Sequence, residues 1–203
     1  MLFTPGSDTS ATMALMDAVP QVYNLGLGAL TTGSQGQRSA SLRTGPLKWK
    51  LCEQSPEAAL RMPFGKPTQI GGGACDRGSL NFSADTDELV AWADDLDKQI
   101  QRAAAAADLA TGKYRPILRP SKKEEYRPTI AVKCQLVGSN AVKIWRGKEQ
   151  ISVDQIDDWR RCRAVPVVHL RGIWCQGHQW GPSIQVAAMY IYDEGQECPF
   201  DIE

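Results

Sequence analysis

The segment from residue 113 to residue 148 combines two side-chain types that bind nucleic acid, cations and aromatic rings. It carries ten basic residues against two acidic ones, Glu124 and Glu125, which gives a local net charge of +8. The aromatic residues interleaved with these charges are Tyr114, Tyr126 and Trp145. Cations neutralise phosphates, and rings stack on bases of any sequence with about 1–3 kcal/mol per base. The pattern indicates single-stranded nucleic acid, and it equally fits a solvated basic surface whose tyrosines anchor a loop.

A second aromatic group lies near the end of the chain, where Trp174 and Trp180 stand between two apolar, β-branched runs. The runs predict a hairpin. Alternation places on one side of its second strand Ile184, Val186, Ala188 and Tyr190. The glycines that permit bulges, with which a sheet curls into a barrel, are Gly172, Gly177 and Gly181. Each tryptophan either closes the barrel end or faces outward, where it can stack a base.

Two sets of residues follow as candidates for a nucleic-acid interface. The phosphate-binding set is Lys122, Lys123, Lys133, Lys143, Arg146 and Arg171. The stacking set is Tyr114, Tyr126, Trp145 and Trp174, followed by Trp49 and Trp180. If these side chains converge along one groove, affinity should fall steeply with salt, because displaced counterions drive the phosphate contacts.

Catalytic and metal-binding patterns are sparse. The sequence has no GxSxG, Walker A or HExxH motif and no GxGxxG after a strand. Of its two histidines, His169 lies within a predicted strand and His178 at a predicted turn. Cys175 and His178 form one close pair, whereas a zinc site commonly uses two such pairs. We therefore predict that the protein is not an enzyme, that it has no metal and no cofactor, and that its cysteines are reduced.

The composition is that of an ordinary globular protein. The hydrophobic share is 42%, the charged share is 23% and the formal net charge is zero. The first twenty residues lack the basic start and sustained apolar core of a signal peptide. No apolar stretch approaches the ~20 residues of a membrane span. We expect a soluble intracellular protein without a membrane partner, located in the host nucleus or cytoplasm if it is viral.

The elements that would position these side chains are mostly short strands. Alternating patterns predict strands at 47–51 and 79–84, and a hairpin formed by 130–138 and 141–147. Together with the hairpin near the end of the chain, they predict a β-rich α+β fold, a Greek-key barrel of the oligonucleotide-binding (OB) type.

Two helices are predicted within this barrel. Asp85 and Glu88 form a capping box before one long inserted helix, for which Gly112 is the stop signal. Ser152 and Gln155 cap a short second helix.

Three regions follow from the composition. Residues 1–44 are rich in Gly, Ser, Thr and Ala without a period and are predicted to be a flexible arm. Residues 45–192 form the predicted OB-like nucleic-acid-binding domain, and residues 193–203 an acidic tail.

Short motifs across residues 45–200 resemble the single-stranded DNA-binding proteins of large DNA viruses of algae and related nucleocytoplasmic viruses. The motifs are MPFGKP (62–67), DRGSLNFS (76–83), LDKQI (96–100), GIWCQGHQWGPSIQVAAMYIY (172–192) and CPF (198–200). The resemblance implies an OB barrel and a non-catalytic role in replication, recombination or repair.

The end of the chain also resembles the acidic ends of bacterial single-stranded DNA-binding proteins, which recruit partner enzymes. Pro199 and Phe200 carry this resemblance, although Asp-Ile-Glu follows them here. It implies that replication or repair proteins bind the tail.

Sequence-independent binding and protection of single-stranded DNA is the function that these patterns favour. A structural or scaffold protein of a virion is the alternative, with the basic segment facing an acidic protein. RNA binding is a variant of the first interpretation, and self-association into a homo-oligomer is open.

Overall fold

A computed structural model describes residues 25–33, 36–67 and 76–193 of the chain. These residues form a fold that is mostly β-sheet with a single α-helix, α1, at Asp87–Ala106. The strands are β1 (Thr31–Thr32), β2 (Arg38–Ser41), β3 (Leu47–Lys50), β4 (Leu60–Arg61), β5 (Arg77–Ser83), β6 (Lys113–Tyr114), β7 (Leu118–Arg119), β8 (Thr129–Gln135), β9 (Lys143–Arg146), β10 (Glu149–Ile151), β11 (Cys162–Gln176) and β12 (Gln179–Asp193). Two 3-10 turns, Val153–Gln155 and Trp159–Arg161, precede β11.

Strands β11 and β12 form a long hairpin at the centre of the sheet, which confirms the hairpin predicted from the two β-branched runs. Each strand has 15 residues, and residues 177–178 form the turn between them. The inner side of the hairpin is buried, and its central residues, none more than 2% exposed, are Val168, Leu170, Ile184 and Val186. The other strands attach to this frame.

A β-bulge at Ala187 changes which side chains of β12 share a face. The register with β11 shifts there by one residue, and such a shift reverses the alternation of sides. Beyond the bulge, Met189 and Ile191 are the buried residues. The prediction that the side of Val186 continues through Ala188 to Tyr190 is therefore wrong, and Tyr190 points to the opposite side.

The remaining strands flank the hairpin on both edges. The free edge of β11 pairs antiparallel with β2, β3 and β4, and the free edge of β12 pairs parallel with β6, β8 and β9. Strand β5 pairs with β8. Arg61 in β4 forms an ion pair of 2.9 Å with Asp85, which follows β5. The sheet therefore curves until its two margins meet.

The predicted hairpin between 130–138 and 141–147 is wrong. Strands β8 and β9 lie one after the other along β12, and β9 pairs antiparallel with β10 instead. The 15-residue β12 is long enough to bury the apolar sides of both, with Val132 and Ile144 each at most 1% exposed. Burial against β12 therefore outweighs the local pairing that the sequence suggested.

The predicted short second helix is two separate 3-10 turns. Gln155 Oε1 accepts a hydrogen bond from the Ser152 backbone N–H at 2.7 Å, as the capping pattern predicts. The second turn buries Trp159, which is 2% exposed. The backbone at Ile156, between the turns, is extended, so no continuous helix forms.

Helix α1 begins and ends at residues other than those predicted. Its N-cap is Thr86, whose side chain accepts from the Leu89 backbone N–H, rather than Asp85. Asp108 has a φ of 56°, and the N–H groups of residues 108 and 109 bond back to the carbonyls of Ala105 and Ala104. This arrangement closes the helix in the manner of a Schellman motif, four residues before Gly112.

The inner side of α1 covers the inner side of the sheet. Its buried apolar residues are Leu89, Ala93, Leu96, Ile100 and Ala104. Ile100 lies beside Leu170 and Ile173 of β11, so the helix and the hairpin share one core. No helix in the described residues is long and apolar enough to cross a membrane.

The folded region begins before residue 45, where the sequence analysis placed its boundary. Strand β2 pairs with residues 172–175 of β11, and Ala40 is 1% exposed. Leu25, Leu27 and Leu42 are buried too. Small, isolated apolar residues among Ser and Arg give no clear period, which explains why the pattern missed them. The rest of the predicted arm and residues 194–203 of the tail lie outside the described residues.

Candidate nucleic-acid interface

The side of the sheet opposite α1 carries a basic and aromatic surface, which we call the open face. Successive side chains of a strand point to opposite sides, so the neighbours of buried residues point outward here. The open face comprises the outward residues of β3, β5, β8, β9, β11 and β12, chiefly Lys48, Lys50, Arg77, Ser79, Lys133, Lys143, Trp145, Arg163, His169, Arg171, Trp174, Gln185, Tyr190 and Tyr192.

Two lysines, a histidine and a glutamine line up across the open face. Register places Lys48 opposite His169, His169 opposite Gln185 and Gln185 opposite Lys133. We call these four residues the basic row; Arg171 lies two residues from His169 on β11. No carboxylate occupies an outward position on the six described strands of this face. The face therefore has a concentrated positive potential although the whole chain has no net charge.

Burial and neighbouring cations lower two pKa values in the basic row. Partial burial lowers the pKa of the His169 imidazole, and the charges of Lys48 and Arg171 lower it further. Burial also lowers the pKa of the Lys133 ammonium, with a contribution from Arg77. Neighbouring positive charges disfavour the protonated forms of these groups, and a bound anion would stabilise those forms.

Aromatic rings lie at both ends of the open face. The Trp174 ring lies beside Gly181, where a Cβ would be 3.4 Å from its Cζ2 and 2.5 Å from the carbonyl oxygen of Arg115. Lys133 Nζ lies 5.7 Å from the centroid of the same ring. At the other end Trp145, 38% exposed, pairs with Tyr190 across β9 and β12. The Tyr190 and Tyr192 rings are 4.8 Å apart.

Three of the predicted stacking residues belong to the core instead. Trp49 is 9% exposed and meets Trp92 edge-on at 5.7 Å between ring centroids. Trp180 is 3% exposed, and its ring lies 4.6 Å from that of Tyr114. Each of these rings is on the inner side of its strand, where it closes the space between the sheet and α1.

The predicted set also includes Arg146 and residues of the 120–128 loop, which are not part of the open face. Arg146 forms an ion pair of 3.0 Å with Asp193, so its charge is already balanced. Lys122, Lys123 and Tyr126 are exposed, and Lys123 Nζ lies 5.5 Å from the Tyr126 ring. No described contact joins these loop residues to the open face. The structure thus brings together Lys133, Lys143, Arg171, Trp145 and Trp174 of the predicted set, and Pro199 and Phe200 lie outside the described residues.

Several residues of the open face are absent from the sequence-based sets. Lys48 and Lys50 flank the buried Trp49, and this alternation could have marked them as outward. Arg163 and His169 lie in the mainly apolar β11, and Arg77 follows Asp76, so no run of charge points to them. Simple alternation along β12 does not predict that Tyr190 and Tyr192 point outward, because the bulge at residue 187 reverses the alternation.

The described residues contain no group of His, Cys, Asp and Glu that could hold a metal ion. Cys175 is buried, whereas His178 is exposed at the hairpin turn, so this sequence pair does not converge. Burial also raises the pKa of the Cys175 thiol. The described cysteines, at positions 52, 134, 162 and 175, are free thiols.

Comparison with solved structures finds the same fold in a phage protein. A single-stranded DNA-binding protein from bacteriophage Enc34, in complex with single-stranded DNA, superposes with a TM-score of 0.50 over 88% of this chain and 99% of that chain, at 13% identity. The chain shares the fold of this phage protein. Its C-terminally truncated form gives 0.49 at 12% identity, over 83% and 98% of the two chains. No family model and no curated protein matches the sequence.

The likeness to the phage protein concerns the fold, and it covers almost the whole of that chain. The resemblance to the algal-virus family, which came from short motifs, stays a prediction. Any function of the open face therefore rests on the geometry of its own side chains.

A buried carboxylate ties α1 to the segment that precedes β7. Asp97 is 5% exposed and accepts hydrogen bonds from the Tyr114 hydroxyl and from the Ile117 backbone N–H. Burial raises the pKa of Asp97, although these two hydrogen bonds oppose the rise. The folded protein therefore holds the proton on Asp97 more strongly than the unfolded chain does.

Linkage turns this raised pKa into a pH dependence of stability. The contribution of Asp97 is full below its unfolded pKa and is lost as the pH rises through its folded pKa. We expect the stability of the wild type, relative to Asp97→Asn, to fall as the pH rises from about 4. Urea denaturation of both proteins at several pH values measures this difference. Glu88→Gln, exposed on the same helix, is the control, because the charge of Asp94 itself raises the pKa of Asp97. A constant difference for Asp97→Asn would contradict the prediction.

Proposed function

We propose that this protein binds single-stranded DNA along the open face, without dependence on base sequence. One observation carries the proposal: the cations and rings lie together on one side of the sheet, with no carboxylate at the outward positions of its six described strands. Single-stranded nucleic acid is bound by this combination of a positive groove with aromatic faces. The phage protein that shares the fold was determined with single-stranded DNA, which supports the proposal.

The side chains of the open face would have two roles, phosphate binding and base stacking. Lys48, Lys133 and Arg171 would contact phosphates, because they extend outward from neighbouring strands. Trp145 and Trp174 would stack on bases. Every base has a flat π face, so stacking supplies affinity without selecting a sequence.

We propose that the curved sheet is an OB-type Greek-key barrel. The ion pair between Arg61 and Asp85 joins its margins, and the bulges of β11 and β12 supply the curvature that closure needs. The long hairpin at its centre then presents the open face outward.

The remaining roles follow from the resemblances and extend the same proposal. The protein would protect exposed DNA inside the cell during replication, recombination or repair, without catalysis. The exposed Lys122, Lys123 and Tyr126 would add contacts to a long strand, and Pro199 and Phe200 would recruit partner proteins.

Titration of labelled oligo-dT in rising salt tests the proposal. Each phosphate neutralised on a single strand contributes about −0.7 to the slope of log K against log salt. Contacts from Lys48, Lys133 and Arg171, with Lys122 and Lys123, therefore predict a slope of about −3.5. Fluorescence anisotropy between about 50 and 200 mM salt measures it. Oligo-rU tests RNA in parallel. A flat response, or no quenching of tryptophan emission by either strand, would favour a scaffold protein.

A further inference from the structure

We infer that the open face holds two separate stacking stations with the basic row crossing the hairpin between them, so that its ligand class is single-stranded DNA long enough to span both. This inference rests on the proposed function and deepens it. Station 1 is Trp174, and station 2 is Trp145 with Tyr190 and Tyr192.

Station 1 is a single ring lying on the sheet. Trp174 pairs with Gly181, and Cζ2 of its ring lies 3.4 Å from the position of a Cβ on that glycine. It is not among the side chains packed against the core, whereas Tyr114, Tyr190 and Tyr192 are. At station 2 the exposed ring is therefore that of Trp145. Lys133 stands beside the ring and can meet the phosphate of a stacked nucleotide.

Station 2 is a cluster of three rings at the opposite end of the hairpin. Trp145 is the outward member of β9, and register puts it beside Tyr190. Tyr190 and Tyr192 both point outward because the bulge at residue 187 reverses their side. Lys143 and Arg163 lie next to this cluster, opposite Ala188 and Tyr192 respectively.

The two stations are too far apart for one base. Gly181, opposite Trp174, and Tyr190 are nine residues apart on β12, which is about 30 Å along the strand at about 3.3 Å per residue. Bases stacked about 3.4 Å apart would need about nine nucleotides to cover this path, and a more extended strand would need fewer.

No Trp, Tyr or Phe occupies the outward positions between the stations. The outward residues there are small or apolar side chains and the cations around His169. A strand would therefore cross this middle part by phosphate contacts alone. Only the nucleotides at its two ends would stack on aromatic side chains.

Two stations on one flexible ligand behave as a bivalent site. A short oligonucleotide occupies one station, whereas a longer one occupies both and gains the effective concentration of a tethered ligand. Such a gain is about 10²–10⁴-fold and is lost when the linker cannot span the sites. Affinity should therefore rise in one step with length instead of gradually.

A series of oligo-dT from about 4 to about 16 nucleotides tests the inference. Anisotropy at constant low salt should show weak binding of the shortest members and a step of about 10²-fold or more near the spanning length. Trp174→Ala and Trp145→Ala should each remove the step while short oligonucleotides still bind the remaining station. Trp145 is exposed, so its variant should fold even if Trp174→Ala does not.

Phe64→Ala is the matched control, because Phe64 is 68% exposed in the turn after β4 and lies outside the open face. It should keep the step. A gradual rise of affinity with length, or an equal loss for short and long oligonucleotides in the Trp145 variant, would overturn the inference while leaving single-stranded DNA binding intact. Absence of binding at every length would overturn the proposed function instead.

Discussion

Replacing Lys48 and Arg171 together by glutamate should weaken the binding of oligo-dT by about 10²–10³-fold. These two cations flank His169 from β3 and from β11, at the middle of the open face. The double variant loses two phosphate contacts and sets two carboxylates against the strand, and like charges placed together cost several kcal/mol. The salt slope should become shallower by at least about 1.4, because each lost contact removes about 0.7.

A second double variant separates the local effect from the change in net charge. Lys98 and Arg102 are exposed on α1, on the other side of the sheet, so Lys98→Glu with Arg102→Glu alters the net charge equally. Salt titrations of both variants and the wild type provide the measurement. The α1 variant should lose only a few-fold in affinity through long-range, salt-screened repulsion. Equal losses of affinity in the two variants would show that single-stranded DNA does not contact the basic row.

The same substitution should raise the pKa of His169. Lys48 and Arg171 both lower that pKa in the wild type, after the effect of burial. Carboxylates at their positions would favour the imidazolium instead. Histidine NMR titration of the double variant therefore checks, without DNA, that these side chains surround His169.

Local patterns predicted those parts of the fold that local physics determines. The β-branched runs of β11 and β12 specify a hairpin because alternation between the bulges buries one side of each strand. The period of α1 likewise specifies its buried stripe. Lys133, Trp145 and Trp174 could be named as candidates for the same reason, since each alternates with buried neighbours in a strand.

Contacts between residues far apart in the sequence determine the parts of the fold and of the interface that local patterns do not predict. Tyr114 lies in a basic segment, yet its hydroxyl bonds to Asp97 of α1, a partner 17 residues away that no local pattern reveals. Strand β9 pairs with β12, which begins more than thirty residues later, and not with β8, the strand that precedes it in sequence. Lys48 reaches the basic row only because β3 pairs with a strand more than a hundred residues later. The interface is thus assembled by sheet register, which charge counting along the chain cannot supply.

Segregation of charge explains how a chain of zero net charge can present a basic surface. The outward side of α1 carries Asp87, Asp94 and Asp95, with Asp94 in an ion pair with Lys98. The sheet lies between these carboxylates and the open face. Separating the two signs across the sheet keeps carboxylates from competing with phosphates for the cations.

Gly172→Ala should destabilise the protein by about 3 kcal/mol or more and loosen station 1. Gly172 has a φ of 147°, and a Cβ there would lie 1.9 Å from the carbonyl oxygen of Ala40 in β2. Strain at such a backbone angle costs about 1–3 kcal/mol, and displacement of β2 adds to it. Ser39 of β2 pairs with Trp174, so movement of β2 removes support from that ring. Urea denaturation measures the first effect, and tryptophan emission with oligo-dT the second.

Gly147→Ala is the matched control, since Gly147 also has a positive φ, of 60°, but no atom lies within 4 Å of its Cβ position. It should cost only about 1–2 kcal/mol, the strain of a left-handed residue without a collision. The difference between the two variants isolates the close approach of β2 to β11. If both alanines cost the same, β2 does not hold that position against β11, and the frame that orients Trp174 on the open face would be formed by β12 alone.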